Sequence, residues 1–234
     1  MRSPLSRVAD IWIAVATALA ILALTIPLFL NPLWVSFEQG RAEATAWTGF
    51  DEGQLRVATD AILADLVVGP PDFDVAVDGT PVLAERERSH MRDVRGVFAG
   101  FYALAIVGVV VALVVAARRR GADRLASWRA VLGGSLGLIA ALVIGGIIAF
   151  VAFDTLFETF HRLFFASGSY TFDPATDRLV QLFPFQFWQE TAIAVGVVSI
   201  VIAALVALVA AHRAERPVEA SAARATLEHT GTRP

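Results

Sequence analysis

The sequence contains no cysteine and no lysine. Without cysteine, the chain cannot form disulfides, thiolate nucleophiles, cysteine metal sites or palmitoylation sites. Without lysine, its positive charge comes from 19 arginines, which face 22 aspartates and glutamates and leave a net charge of −3. This balance gives no indication of a nucleic-acid partner, for which a basic surface would be expected.

Hydrophobic residues are abundant instead, and they are concentrated in four long runs. The runs cover residues 11–30, 97–117, 130–153 and 191–211. Each is long enough for a helix to cross a hydrocarbon core of about 30 Å, which takes roughly 20 residues. Because only a helix satisfies the backbone of such a run in lipid, the sequence predicts an all-α membrane protein built on a four-helix transmembrane bundle.

The distribution of arginine predicts the orientation of these four helices. Residues 118–129 carry five arginines and one acid, whereas residues 31–96 carry six arginines and twelve acids, and residues 154–190 carry two and five. Arginine-rich connections stay in the cytoplasm. We therefore expect residues 1–10, 118–129 and 212–234 to be cytoplasmic, and the loops 31–96 and 154–190 to be extracytoplasmic.

The outer loop of residues 31–96 has structural signals of its own. Apolar residues recur at the helical period through residues 52–68. Asp78-Gly79 then forms a favoured hairpin turn between two short alternating segments. We expect a small α+β extracytoplasmic cap built from the two outer loops. The tail, residues 212–234, lacks apolar periodicity and is expected to be disordered.

Polar residues gather at two places beside the spans, and the first surrounds His90. Residues 85–95 are dense in glutamate and arginine. If this stretch is helical, Asp93 shares a face with His90, so its carboxylate could fix one imidazole nitrogen and leave the other free as a base. The alternative is a solvated helix start, in which acids and arginines pair in water for little energy.

The second polar cluster follows the third span and contains His161. Asp154, Glu158 and His161 fall at i, i+4 and i+7 on a polar stripe, opposite a stripe of phenylalanines and Leu156. Ionisable groups at the edge of hydrocarbon are costly unless they are paired or functional. The alternative is a polar stripe that faces water or lipid headgroups.

The spacing of these residues also raises the question of a metal site. Glu158 and His161 stand at i and i+3, as in carboxylate-bridged di-iron bundles, and His90 with Asp93 would supply the other half. Such sites use two Glu-x-x-His motifs and two further carboxylates, so the set here is incomplete. We therefore expect no metal and no other cofactor.

Two motifs carry a resemblance to a known family. Residues 86–94, before the second span, contain a Glu-x-x-His-x-x-Asp-Val pattern, and Phe160 to Phe165, after the third, contain Phe-His-x-x-Phe-Phe. With the four-span topology, and with the segments Tyr170 to Pro174 and Leu182 to Pro184, the chain resembles the lipoprotein intramolecular transacylase family. One departure is Tyr170, because family members often carry a tryptophan in this loop.

The resemblance implies an enzyme of the bacterial cytoplasmic membrane. Such an enzyme moves the sn-2 acyl chain of a diacylglyceryl lipoprotein to the α-amine of its N-terminal cysteine. Its partners would be the lipoprotein N-terminus and membrane lipids, while the oligomeric state stays open. We expect His161 to be the general base and His90 to stabilise or protonate oxygen, although these roles could be reversed. The remaining candidates are Asp93 and Glu158 as orienting groups, and Arg92, Arg95, Phe164 and Tyr170 as substrate contacts.

A competing hypothesis is a non-catalytic membrane protein that binds a lipid or an envelope partner through its outer cap. The distance between the two histidines separates the two interpretations. The two-histidine scheme requires both imidazoles within reach of one bound substrate. If His90 and His161 lay far apart, or both faced bulk water, the enzyme interpretation would weaken.

Overall fold

The computed structural model describes residues 4–230, without the side chains of Ala122 and of residues 216–230. The chain is mostly helical over this range and has one two-stranded sheet. The helices are α1 (Pro4–Thr25), α2 (Pro32–Arg41), α3 (Ala44–Thr48), α4 (Glu52–Val67), α5 (Glu85–Arg118), α6 (Ala122–Phe164), α7 (Arg178–Leu182) and α8 (Phe185–Thr230). The strands are β1 (Ala76–Val77) and β2 (Thr80–Pro81).

Four of these helices are long and apolar enough to cross a membrane, as predicted. They extend beyond the apolar runs. Helix α5 has 34 residues, whereas about 20 span the hydrocarbon core, so its charged outer turns, residues 85–96, lie outside the spanning part. Helix α8 continues to Thr230. The disordered tail expected for residues 212–234 stays a prediction, and residues 231–234 lie outside the described range.

Helix α6 is interrupted where the third apolar run ends. Ala152 has φ −145° and ψ 48°, which are not helical values. The segment from Phe153 to Phe164 therefore takes a new direction. Because His161 belongs to this segment, the break in α6 determines where that imidazole is presented.

The long first loop forms the helix and the hairpin that its sequence predicts. Asp51 caps α4 by accepting a hydrogen bond from the amide of Gln54, whose side chain accepts in return from the amide of Asp51. Strands β1 and β2 pair antiparallel. Between them, Asp78 and Gly79 have φ of 51° and 77°, the left-handed values that a tight hairpin turn requires and that glycine adopts without strain.

The chain divides into two compact units, and the first combines parts of the four long helices (Met1–Leu22, Leu104–Leu142 and Ser199–Pro234). Ile21, Leu138 and Ala203 form its apolar centre. Gly134 allows α6 to approach α1 closely: a Cβ added there would lie 2.8 Å from the Cα of Ala14 and nearer still to its carbonyl oxygen. Small residues at such crossings bring membrane helices into backbone contact.

The second unit comprises Ala23–Ala103 and Val143–Val198. Its core is formed by residues of α2, α4, the hairpin, the start of α5 and α7. The buried side-chain amide of Gln39 donates to Thr59 Oγ1 at 3.0 Å and to the carbonyl oxygen of Leu182 at 2.9 Å. Arg178 donates to the carbonyl oxygen of Thr48. These bonds join the first long loop to the second.

Candidate active site

His90 lies in the second turn of α5, on the same face as Glu87. Glu87 is only 1% exposed, and its carboxylate accepts hydrogen bonds from the backbone amides of Ala84 at 2.7 Å and Leu179 at 2.6 Å. The first bond caps α5, and the second holds the start of α7. Glu87 therefore fixes the turn that carries His90, which is 6% exposed.

His161 lies near the end of α6, after the break at Ala152, and is 9% exposed. Its Nδ1 is 2.8 Å from the carbonyl oxygen of Phe157. Because a carbonyl oxygen only accepts, Nδ1 must carry the proton and donate it. A neutral His161 then has its lone pair on Nε2, so this bond selects the tautomer that can act as a base through Nε2.

The two histidines lie side by side, as the enzyme interpretation requires. Their ring centroids are 5.9 Å apart, and the ring planes meet at 23°. Both side chains are largely shielded from water. The distance test set by the sequence therefore favours a joint chemical role over two separate solvated residues.

Aromatic rings surround this histidine pair. Phe165 contacts both imidazoles, with centroid distances of 4.8 Å to His90 and 5.4 Å to His161. Phe157, Phe160 and Tyr170 also lie against His161, at 4.2, 5.5 and 5.2 Å. Phe172 packs against His90 at 5.4 Å. The shell makes the surroundings of the pair apolar.

Burial lowers the pKa of His90 from about 6.5 to about 4. Desolvation is the largest cause, because an apolar surrounding disfavours the charged imidazole. The neighbouring His161 lowers this pKa further, whereas the negative charge of Asp93 raises it. His90 is therefore neutral at physiological pH.

One nitrogen of His90 has no protein partner. Nδ1 is buried and makes no hydrogen bond to any residue described. Buried polar atoms are normally paired, because an unpaired one forfeits its hydration without compensation. An orphaned nitrogen beside a second histidine marks a place where a substrate group can complete the bonding.

The predicted orienting carboxylates act less directly than their spacing suggested. Asp93 affects His90 through its charge, and the described residues show no hydrogen bond between the two. Glu158 accepts a hydrogen bond from the Tyr170 hydroxyl at 3.3 Å and pairs with Arg162 at 3.7 Å. Glu158 thus contacts the ring that covers His161.

Of the predicted substrate contacts, two are aromatic residues, and two are arginines that bond to other parts of the protein. Tyr170 belongs to the shell, whereas Phe164 is half exposed and packs on Phe160 at 4.9 Å. Arg92 pairs with Glu85 at 2.6 Å. Arg95 donates to the carbonyl oxygens of Asp65 and Gly69 at the end of α4.

No group of three histidines, aspartates or glutamates in the part of the chain with described side chains could hold a metal ion.

Two further features of the site were not identified from the sequence. One is the double hydrogen bond of Glu87. The other is Arg86, which lies 4.9 Å over the Phe172 ring, bonds to Asp177 at 2.6 Å and donates to the carbonyl oxygen of Thr171 at 3.0 Å. Arg86 thereby holds the ring that covers His90. The sequence signal that could have identified Arg86 is its position one turn before a candidate histidine. Its partners could not be inferred, because they lie far from it in the sequence.

A family model described as lipoprotein intramolecular transacylase Lit matches residues 11–188. The chain belongs to this family. The match includes both histidines and extends over most of the chain, so the resemblance that the two motifs indicated is confirmed. It also confirms the predicted class, a membrane enzyme of the acyltransferase type.

Solved structures of Lit from Bacillus cereus have the same fold as this Lit family member. One covers 92% of this chain and 98% of its own, with 16% identity and a TM-score of 0.77. Two others are variants in which one histidine is replaced by arginine or by alanine. Both have a TM-score of 0.73 and 17% identity; each covers 92% of this chain, and 95% and 96% of its own respectively.

A protein of Aquifex aeolicus (strain VF5), described as uncharacterized, is also similar to this Lit family member. It is 26% identical over 129 residues, which are 55% of this chain and 56% of the relative. The chain thus matches a little over half the length of that relative.

Proposed function

We propose that this protein moves the sn-2 acyl chain of a diacylglyceryl lipoprotein to the α-amine of the same molecule's N-terminal cysteine. The observation that carries the proposal is the buried pair of His90 and His161, with ring centroids 5.9 Å apart. The amine and the ester belong to one molecule. Holding them in contact supplies much of the acceleration, because the step becomes intramolecular.

His161 is the general base in this scheme. The α-ammonium must lose a proton before its nitrogen can attack the ester carbonyl. Because Nδ1 of His161 donates a hydrogen bond to the carbonyl oxygen of Phe157, Nε2 holds the lone pair that can accept this proton. An imidazole is suited to proton transfer near neutral pH. The nitrogen loses two protons on its way from ammonium to amide: one passes to the departing glyceryl oxygen, and the other is released to solvent.

His90 stabilises the oxygen of the tetrahedral intermediate. Because burial keeps the imidazole neutral, its N–H acts as a hydrogen-bond donor rather than as a cation. Donors placed in advance where negative charge develops are worth more in a dry site than in water. The unpaired nitrogen of His90 supports this role, since a bound substrate would supply the missing partner.

The other predicted residues support the two histidines. The charge of Asp93 raises the proton affinity of His90, and Glu158 holds Tyr170 against His161. Phe164 and Tyr170 contact the acyl chain. Arg92 and Arg95 act on the framework through Glu85 and the end of α4, with Arg92 exposed enough to meet the lipoprotein headgroup as well.

The active face is extracytoplasmic, and both termini are cytoplasmic. The arginine-rich loop of residues 118–129 and the acidic loops that carry the site support this orientation. The two outer loops then form a small α+β cap on the membrane surface, stabilised by the bonds of Gln39 and Arg178. Membrane lipids and the lipoprotein N-terminus are the partners at this face.

The test is expression in a bacterium that lacks this activity but makes diacylglyceryl lipoproteins. Mass spectrometry of the N-terminal lipopeptide should show the acyl chain on the cysteine amine. His161→Ala and His90→Ala should abolish the shift at equal membrane levels. His212→Ala, which changes a histidine of α8 outside the site, is the matched control and should retain it.

The negative outcomes are distinct. Full activity of His90→Ala would refute the two-histidine scheme. Absence of any shift with the wild-type protein, despite verified insertion, would favour a non-catalytic protein that binds a lipid or an envelope partner.

A further inference from the structure

Phe165 has a position that no other aromatic residue in the described shell shares. It is 9% exposed, and its ring contacts both His90 and His161, at 4.8 and 5.4 Å. Among the ring contacts described, the others that touch a histidine of the pair reach only one of the two. Phe165 therefore occupies space beside both imidazoles at once.

We propose that Phe165 determines the outcome of the reaction by excluding water from the histidine pair, so that the acyl chain goes to an amine and not to water. This inference rests on the proposed transacylase function. It concerns a choice between two nucleophiles, and Phe165 touches the reacting histidines without exchanging a proton. Phe165 is thus a specificity-determining residue.

The competing reaction follows from the same chemistry. A base that takes a proton from an ammonium can take one from water. Water oxygen would then bond to the acyl carbon, the bond from that carbon to the glyceryl oxygen would break, and that oxygen would receive the proton held by His161. The products are a free fatty acid and a lysoglyceryl lipopeptide with an unmodified amine. No further reactant is needed.

The apolar shell disfavours this side reaction in two ways. An ordered water needs polar partners and enough free volume to hold it, and rings occupy the space beside both imidazoles. Excluding water also protects a reactive intermediate from hydrolysis. Truncating Phe165 opens a space beside the His90 ring, whose centroid lies 4.8 Å from that of Phe165 and whose Nδ1 makes no hydrogen bond to any residue described. A water could find a hydrogen-bond partner there.

The experiment uses the full-length protein in detergent with a synthetic diacylglyceryl lipopeptide in H₂¹⁸O. Two products are quantified by mass spectrometry: the N-acyl lipopeptide, and free fatty acid that carries one ¹⁸O. For Phe165→Ala we expect the ratio of fatty acid to N-acyl product to rise by about tenfold, equivalent to 1.4 kcal/mol between the competing barriers. Phe165→Leu, which restores apolar volume, should return the ratio towards the wild-type value.

Phe183→Ala is the matched control. Phe183 is 7% exposed and packs on Phe187 and Trp188, so its truncation removes the same ring from a comparably buried place. Its ring makes no contact with either histidine in the described structure. A general loss of stability should lower total product in Phe183→Ala without changing the product ratio.

The outcomes separate this inference from the proposed function. Wild-type protein that forms no N-acyl product contradicts the transacylase function itself. Wild-type transfer with an unchanged ratio in Phe165→Ala overturns the water-exclusion role. If Phe165→Ala does not fold, Phe172→Ala decides, because it opens the shell on the His90 side. In that case a wild-type ratio in Phe172→Ala would overturn the water-exclusion role.

Discussion

Replacing Glu87 by glutamine tests whether this carboxylate holds the turn that carries His90 in place. The change preserves size but exchanges one acceptor oxygen for an NH₂ group. The wild-type carboxylate accepts from the amides of Ala84 and Leu179 at 2.7 and 2.6 Å. A glutamine can accept from only one of them and must direct its NH₂ group towards the other N–H.

The magnitude follows from the two bonds. Each is a charge-assisted hydrogen bond to a buried carboxylate, worth about 1.5–3 kcal/mol, and a buried amide left without an acceptor costs about 1–3 kcal/mol. We therefore expect Glu87→Gln to destabilise the protein by about 2–5 kcal/mol. We also expect it to lower transfer activity, since His90 lies one turn further along α5.

Thermal unfolding of the purified protein at a fixed scan rate measures the first effect, and the lipopeptide assay measures the second. Glu85→Gln is the matched control. Glu85 has 71% of its side chain exposed and pairs with Arg92, so its replacement should leave the unfolding temperature almost unchanged, because exposed ion pairs contribute little to stability. If the two variants unfold at the same temperature with the same activity, Glu87 does not anchor the site and the reasoning is wrong.

Three further predictions concern protonation, helix packing and the Tyr170 hydroxyl. With ¹⁵N-labelled imidazoles, NMR should show that His90 is neutral down to about pH 4, and titration near 6.5 would contradict the burial argument. Because the folded state binds fewer protons than the unfolded state between pH 6.5 and 4, this histidine makes the free energy of unfolding fall as the pH falls through that window. Gly134→Ala should lower the unfolding temperature, because the added Cβ would collide with the backbone of α1. Gly133→Ala should leave the unfolding temperature unchanged, because a Cβ at Gly133 has no neighbouring atom within 4 Å. Equal unfolding temperatures of the two variants would refute the close approach of α6 to α1. Tyr170→Phe keeps the ring against His161 and loses one exposed hydrogen bond, so the lipopeptide assay should show less than about a tenfold loss, and complete inactivation would assign the hydroxyl a chemical role.

Local signals in the sequence predicted much of the fold. Four apolar runs predicted four candidate membrane helices, and periodicity together with Asp78-Gly79 predicted α4 and the hairpin. These features depend on residues close in sequence, which is why they can be recognised without a structure. The break at Ala152 has no such signal, because neither proline nor glycine stands there.

The candidate site was predictable only in part. The two motifs identified both histidines, but spacing alone suggested that Asp93 would orient His90 by a hydrogen bond. In the structure, Asp93 acts on His90 through charge, while Glu87 accepts hydrogen bonds from the backbone amides of Ala84, just before α5, and of Leu179 in α7. Partners such as Leu179 and Thr171 lie in the other outer loop. Contacts of this kind depend on the assembled fold and cannot be inferred from neighbouring residues.

The bond between Glu87 and Leu179 has a consequence for biosynthesis. The two residues are 92 positions apart, and a chain enters the membrane from its N-terminus. Until α7 has been made, the carboxylate of Glu87 lacks one of its two amides. The turn that carries His90 therefore acquires its final support only after the third span is in place. A chain whose third span has not yet been inserted would therefore lack the pair of His90 and His161 on which the proposed function depends.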